Sequence, residues 1–522
     1  MKTIVLLMMT VAAISATVAP EDDDEILYGT FPEGFAWSTA TSAYQIEGGW
    51  NAGDKSVNIW DTFTHAGGNV ANNATGDIAC DSYNKITEDV QLMKNMKVTH
   101  YRFSVSWSRL IPTGGRNIST TGLNYYNALI DALIAASIKP VVTLYHWDLP
   151  QALQDIGGWE NEALVDQFYD YAYMVYSSFG DRVKMWITFN EPFVTCWLGY
   201  GIGIHAPGIR QPGEASYKCA HTILKSHAKA WRLYDSTFRS SQNGKCGITL
   251  DSDYFQPKDP SNPADVEAAE VAQQFKLGWF ANPIFNGDYP EVMREKVYNK
   301  SMAQGLSVSR LPTFNQTEID MIKGTHDFFG LNHYTTRLVT SATSPLNPPS
   351  YEMDRDVVES IDPTWPTSGS SWLFGVPWGC RKLLGWIKNT YNDPEIFITE
   401  NGVSDRNSSM EDTHRVWYYK NYINNVLKAY KIDDVRMIGY TAWSLMDNFE
   451  WATGYDEKFG LHYVDFTDPT RPRTPKASAK FYTELIEANG FSNSGQKVTP
   501  LSLMALTLAL AIAVFSTQRE YS

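Results

Sequence analysis

Between about Phe31 and Gly490, short runs of β-branched and aromatic residues alternate with longer segments whose apolar positions recur at helical spacing. Tyr126, Leu129, Ile130, Leu133 and Ile134 form one such stripe, and Lys139-Pro140 then opens the strand-like run Val141 to Tyr145. Leu164, Val165, Phe168, Ala172, Val175, Tyr176 and Phe179 form another, ahead of Met185 to Phe189. Strand, helix and strand in this order is the pattern of a parallel sheet with helical crossovers. The remaining strand-like runs are Phe35 to Thr39, Tyr101 to Val105, Cys246 to Leu250, Phe328 to Leu331, Ile396 to Thr399 and Met437 to Trp443. Together these make eight, the number a closed (β/α)8 barrel requires. The pattern therefore predicts an α/β fold, a single TIM barrel over residues 31–491. Asp253 to Thr325 and the Pro/Ser-rich stretch Ser341 to Ser371 are expected to be long loop insertions at its C-terminal face.

The ends of the chain break this pattern. Residues 1–19 have the layout of a secretory signal peptide, with Lys2, an apolar run from Ile4 to Ile14, and small residues at Ser15, Ala16 and Ala19. An acidic linker, residues 20–30, follows. At the other end, residues 492–522 contain a 15-residue apolar run, Leu501 to Phe515, interrupted only by Ser502 and Thr507. Small residues Ser492 to Gly495 precede it, which resembles a lipid-anchor attachment signal. Seven polar residues, Ser516 to Ser522, follow the run, so a short membrane span is the alternative. The expected location is the secretory pathway and the cell surface or exterior, with any membrane association made through the tail. Sequons at Asn73, Asn117, Asn299, Asn315 and Asn407 agree with that route as glycosylation sites.

Composition narrows the function. The net charge is −15 with no basic cluster, which disfavours nucleic acid as a partner. Aromatic residues reach 13%, including 17 Trp and 29 Tyr, an excess suited to stacking on sugar rings. The five cysteines are too few for a disulfide scaffold and match no zinc motif, and their pairing is not readable from spacing. No cofactor or metal is expected.

The chemistry concentrates at the predicted strand ends, where the active sites of such barrels sit. Glu191 closes Met185-Trp186-Ile187-Thr188-Phe189-Asn190-Glu191, and Glu400 closes Ile396-Phe397-Ile398-Thr399-Glu400. Two carboxyl groups facing each other across a pocket are what glycosidic bond cleavage needs, one to protonate the leaving oxygen and one to attack or direct water. Other polar groups fall at the same level: Gln45, Arg102, His146, Asn190, Asn332, Tyr334, Trp443 and Glu450-Trp451. A lone buried His or Asn is ordinarily a satisfied structural group. One at nearly every strand end fits a monosaccharide pocket better.

These segments resemble glycoside hydrolase family 1, the β-glucosidase and lactase-like group. The resemblance runs through Phe31-Pro32-Glu33-Gly34-Phe35-Ala36-Trp37, Tyr44-Gln45-Ile46-Glu47-Gly48 and His146-Trp147-Asp148-Leu149-Pro150. It continues through Thr188-Phe189-Asn190-Glu191-Pro192, His205-Ala206-Pro207-Gly208, Ile398-Thr399-Glu400-Asn401-Gly402 and Trp443 to Trp451. It implies a retaining exo-β-glycosidase with Glu191 as acid/base and Glu400 as nucleophile, the latter supported by Arg102 and Tyr334. It also implies sugar contacts from Gln45, His146, Asn190, Asn332, Glu450 and Trp451, a stacking platform at Trp443 and a wall at Phe459. Glu191 stands where plant thioglucosidases carry Gln, so O-glycosides are expected. Glu450-Trp451 is the pair that phospho-glycosidases alter, so an unphosphorylated sugar is expected. The rival reading is a non-catalytic, klotho-like binding protein on the same fold, and keeping both glutamates argues against it. Hydrolysis and transglycosylation use the same residues and are not distinguished by sequence.

Overall fold

The computed structural model describes residues 25–492. The expected signal peptide, the start of the acidic linker and the apolar run of the tail lie outside them. No helix among the described residues is long and apolar enough to cross a membrane.

The eight expected strands form a closed, all-parallel barrel in chain order. They are β1 (Ala36–Ala40), β2 (His100–Ser104), β3 (Lys139–Tyr145), β4 (Met185–Asn190), β5 (Lys245–Asp251), β6 (Phe329–Asn332), β7 (Ile396–Asn401) and β8 (Met437–Trp443). β8 pairs with β1 from Gly439↔Ala36 to Trp443↔Ala40, which closes the ring. Closure leaves the barrel no unpaired edge. Ala36, Val141, Ile187, Phe328 and Phe397 form a small apolar cluster of their own, separate from the main core.

The crossover helices pack as their stripes require. α1 (Thr120–Ala135) starts at Ser119, whose hydroxyl accepts from the Gly122 N–H. It buries Tyr126, Leu129, Ile130 and Leu133, whereas Ile134, expected on the same face, is 44% exposed. Residue 134 follows 133 by about 100°, which carries it past the edge of the buried stripe. α2 (Leu164–Phe179) buries all seven of its expected apolar positions. The segments that flank the barrel at its start and finish meet in a two-stranded ribbon, Gly29–Thr30 against Gly490–Phe491.

The two insertions differ from expectation in kind. Asp253 to Thr325 is mostly helical, with helices at Pro263–Gln273, Trp279–Phe285, Glu291–Ala303 and Gln316–Ile322. Tyr254–Pro257, Thr336–Ser341 and Val357–Ser360 form a three-stranded sheet, so the second insertion also carries regular structure. Its local Pro and Ser content hides pairing partners that lie far away in sequence. Cys196 and Cys219 are bridged, tying the turn after Glu191 to α3 (Ala215–Leu233), while Cys80, Cys246 and Cys380 are buried thiols.

Candidate active site

The strand ladders lose their regular register just before each glutamate. β4 slips against β5 between Ile187 and Asn190, and β7 slips against β6 between Ile398 and Glu400. Such irregularities bend a strand and re-aim its side chains, here into the barrel mouth. Glu191 then takes a left-handed backbone at φ 46°, as do Trp147 at 76° and Trp451 at 49°. Each non-glycine residue held there costs about 1–3 kcal/mol, a strain that recurs where geometry serves a site. All three line one cavity of about 600 Å³, together with Glu400, Asn332, Tyr334, His146, Trp443, Glu450 and Phe459.

Glu400 is gripped on both oxygens. Arg102 Nη1 donates to Oε1 at 2.5 Å and the Tyr334 hydroxyl donates to Oε2 at 2.8 Å. Arg102 also donates through Nη2 to Asn190 Oδ1 at 2.6 Å and through Nε to Thr143 at 3.2 Å. Burial raises the Glu400 carboxyl, and the Arg102 charge and the Tyr334 hydrogen bond oppose that rise. Glu191 lacks a comparable anchor. Asn332 Nδ2 donates to its Oε1 at 2.7 Å. Burial first, then the carboxylates of Asp251 and Glu400, push it well above the usual range, against weaker pulls from Asn332 and Lys276. Of the two carboxyls, Glu400 ionises first and Glu191 keeps its proton.

Asn332 joins the pair from below. Its oxygen accepts from Thr399 at 2.8 Å, and its amide reaches Asn190 Oδ1 at 3.1 Å. With the Asn190 oxygen taken by two donors, its nitrogen donates to His146 Nε2 at 3.1 Å. That leaves the imidazole proton on Nδ1, which is buried without a protein partner. Burial, with the Arg102 charge, keeps this ring neutral. A neutral donor with a spare proton suits a hydroxyl-bearing ligand.

Trp443 stacks on His146 with centroids 6.0 Å apart, and Trp451 packs against Trp147 at 4.5 Å and Trp60 at 4.7 Å. Phe459 meets the Tyr334 ring edge-on at 6.1 Å. Glu450 is half-buried, and burial, with the neighbouring charges of Glu457 and Glu400, raises its carboxyl well above the usual range. Gln45, Asn190 and Arg102 do not line the cavity. The amide nitrogen of Gln45 donates to Asn448 and to the Phe449 carbonyl, and its oxygen accepts from Ser42. Sequence reasoning missed the outer wall, where Phe193, Trp197, Tyr351 and Trp372 supply apolar surface. It also missed Asp251 and Lys276. Asp251 ends β5 as Asn190 ends β4, so the strand-end argument itself reaches it.

Residues 27–491 match the pattern of glycosyl hydrolase family 1. The chain belongs to that family. Its closed (β/α)8 barrel is the fold of solved β-glucosidases of that family. It is 54% identical over 473 residues to human lactase/phlorizin hydrolase, covering 90% of this chain but 24% of that protein. It is 50% identical over 479 residues to human lactase-like protein, covering 90% of this chain and 84% of that one. A rice β-glucosidase mutant, solved in a covalent complex with glucose, superposes with a TM-score of 0.84 at 39% identity, covering 88% of this chain and 99% of that one.

Proposed function

We propose that the protein is a retaining, exo-acting β-glycosidase that hydrolyses O-linked β-glucosides, with β-galactosides and β-fucosides as further substrates. The observation that carries this reading is the asymmetry of the two carboxyls. Arg102 and Tyr334 favour the ionised form of Glu400, while burial and neighbouring acids favour the protonated form of Glu191. In the first step a Glu400 oxygen attacks the anomeric carbon as Glu191 protonates the departing oxygen, giving a glycosyl ester on Glu400. Esterification removes the Glu400 charge, so Glu191 loses its proton more readily. It then takes a proton from water as that water attacks the same carbon. Two inversions restore the β configuration.

The glycone would lie against Trp443, with His146 Nδ1, Glu450 and Trp451 reading its hydroxyls. The glucose bound covalently in the rice relative supports an ester intermediate here. A panel of aryl β-glycosides assayed with the purified protein, paired with a 2-fluoro-glucoside trap, tests the proposal. Turnover with label on Glu400 is the expected result, and label on another residue overturns it.

We also propose passage through the secretory pathway. The Cys196–Cys219 bridge suits an oxidising compartment, and all five sequon asparagines are exposed. If the tail is exchanged for a lipid anchor, a phosphatidylinositol-specific lipase releases the enzyme from cells. If it spans the bilayer, the lipase releases nothing.

A further inference from the structure

The proposed mechanism leaves a second charged pair in the cavity unused. Asp251 closes β5 in register with Asn332, the residue that donates to Glu191. Lys276 comes from the helical insertion between β5 and β6, on the wide turn Gln274–Gly278. Its ammonium lies 2.6 Å from Asp251 Oδ2 and 3.4 Å from the ring centre of Phe193, two residues past Glu191. The side chains are only 14% and 11% exposed, so salt and water screen the pair weakly. The other Asp251 oxygen, Oδ1, is buried without a protein partner. Among the described residues, Lys276 is the cation paired with Asp251.

We propose that Lys276 is a positioning residue for the proton of Glu191: by neutralising Asp251 it sets how much negative charge surrounds the acid/base carboxyl. This rests on the acid/base reading of Glu191. The charges facing Glu191 are Asp251 from β5, Glu400 from β7 and Lys276 from the insertion, while Asn332 from β6 donates a hydrogen bond. Tyr334, just past β6, faces both carboxyls and donates to Glu400, as does Arg102. The carboxylates hold the proton on Glu191, which suits bond cleavage but hinders the later step that needs the ionised form. Lys276 opposes them. The insertion between β5 and β6 thereby serves the site, since it delivers the cation that pairs with Asp251.

The test is the basic limb of kcat/KM against pH for an aryl β-glucoside, which reports the free enzyme's acid. Lys276→Met strips Asp251 of its counter-charge and should move that limb to higher pH. Asp251→Asn removes an acid and should move it to lower pH, and the double variant should return close to the native profile. Lys276→Arg should leave it in place. Where turnover is too slow for a profile, the infrared carbonyl band of protonated Glu191 gives the same comparison in the resting enzyme. Shifts in one common direction, or none, overturn the proposal. Glu191→Ala in the same assay separates the two levels. If it fails to discriminate among leaving groups, the acid/base reading itself is at fault.

Discussion

Arg102 ties the two glutamate-bearing strand tips together through one guanidinium, with Nη1 on Glu400 and Nη2 on Asn190, the residue before Glu191. The group is 1% exposed, and its third nitrogen is fixed by Thr143. With a further bond from Nη1 to the Thr399 carbonyl at 3.0 Å, four hydrogen bonds along a planar fork leave it little freedom to swing. The ionised state of one carboxyl and the backbone that carries the other are therefore set by the same side chain.

In the proposed mechanism Glu400 supplies the attacking oxygen. Glu400→Gln keeps the shape and much of the hydrogen bonding but supplies no nucleophile. Turnover of an aryl β-glucoside should fall by roughly 10⁴-fold or more while the folded state survives. Circular dichroism and steady-state rates measure both. Near-native turnover would remove Glu400 from the chemistry.

Glu191→Ala separates leaving groups. A poor leaving group needs its oxygen protonated, so its rate should drop by about 10²–10⁴-fold, whereas an activated aryl leaving group should lose far less in the first step. Azide should restore the second step and yield a β-glycosyl azide, because the small anion attacks the ester without a base. A uniform loss that azide does not rescue would contradict the acid/base role.

Tyr334→Phe tests the grip on Glu400. The hydroxyl donates at 2.8 Å to Glu400 Oε2 and, with Arg102, opposes the rise that burial imposes. Without it Glu400 binds its proton more tightly, so the acidic limb of kcat/KM should move to higher pH. The hydrogen bond goes to a charged, buried group, so kcat/KM at the optimum should fall roughly 10- to 100-fold. An unmoved acidic limb would mean that Arg102 alone governs the ionisation.

The fold and the meeting of Glu191 and Glu400 in one cavity were legible for one reason. Each barrel strand is a short β-branched or aromatic run, and at Glu191 and Glu400 the run stops on a carboxylate. Ile134 was misplaced because a stripe of apolar letters does not mark where the buried arc ends. The helices of residues 253–325 leave little apolar stripe to read: Glu291–Ala303 buries only Met293, Val297 and Ser301. Lys276 was beyond reach altogether: a lone lysine in an insertion gives no local sign of Asp251, 25 positions earlier, or of the Phe193 ring beneath it. The Cys196–Cys219 bridge is equally a product of how α3 returns past the turn after Glu191.

Holding a protonated acid in the cavity also has a consequence for stability. Glu191 in the folded protein lies well above its unfolded value, near 4.3 for a free glutamate. Below that unfolded value both states are protonated and the group adds nothing adverse. As pH rises past it, the unfolded chain ionises while the folded one does not, and stability falls until the folded value is reached. Glu191→Gln cannot ionise in either state, so it escapes this loss. Its thermal midpoint should match the native protein near pH 4 and exceed it at pH 7. Melting curves at the two pH values decide the matter: an equal difference at both would show that the carboxyl is not held protonated by its surroundings.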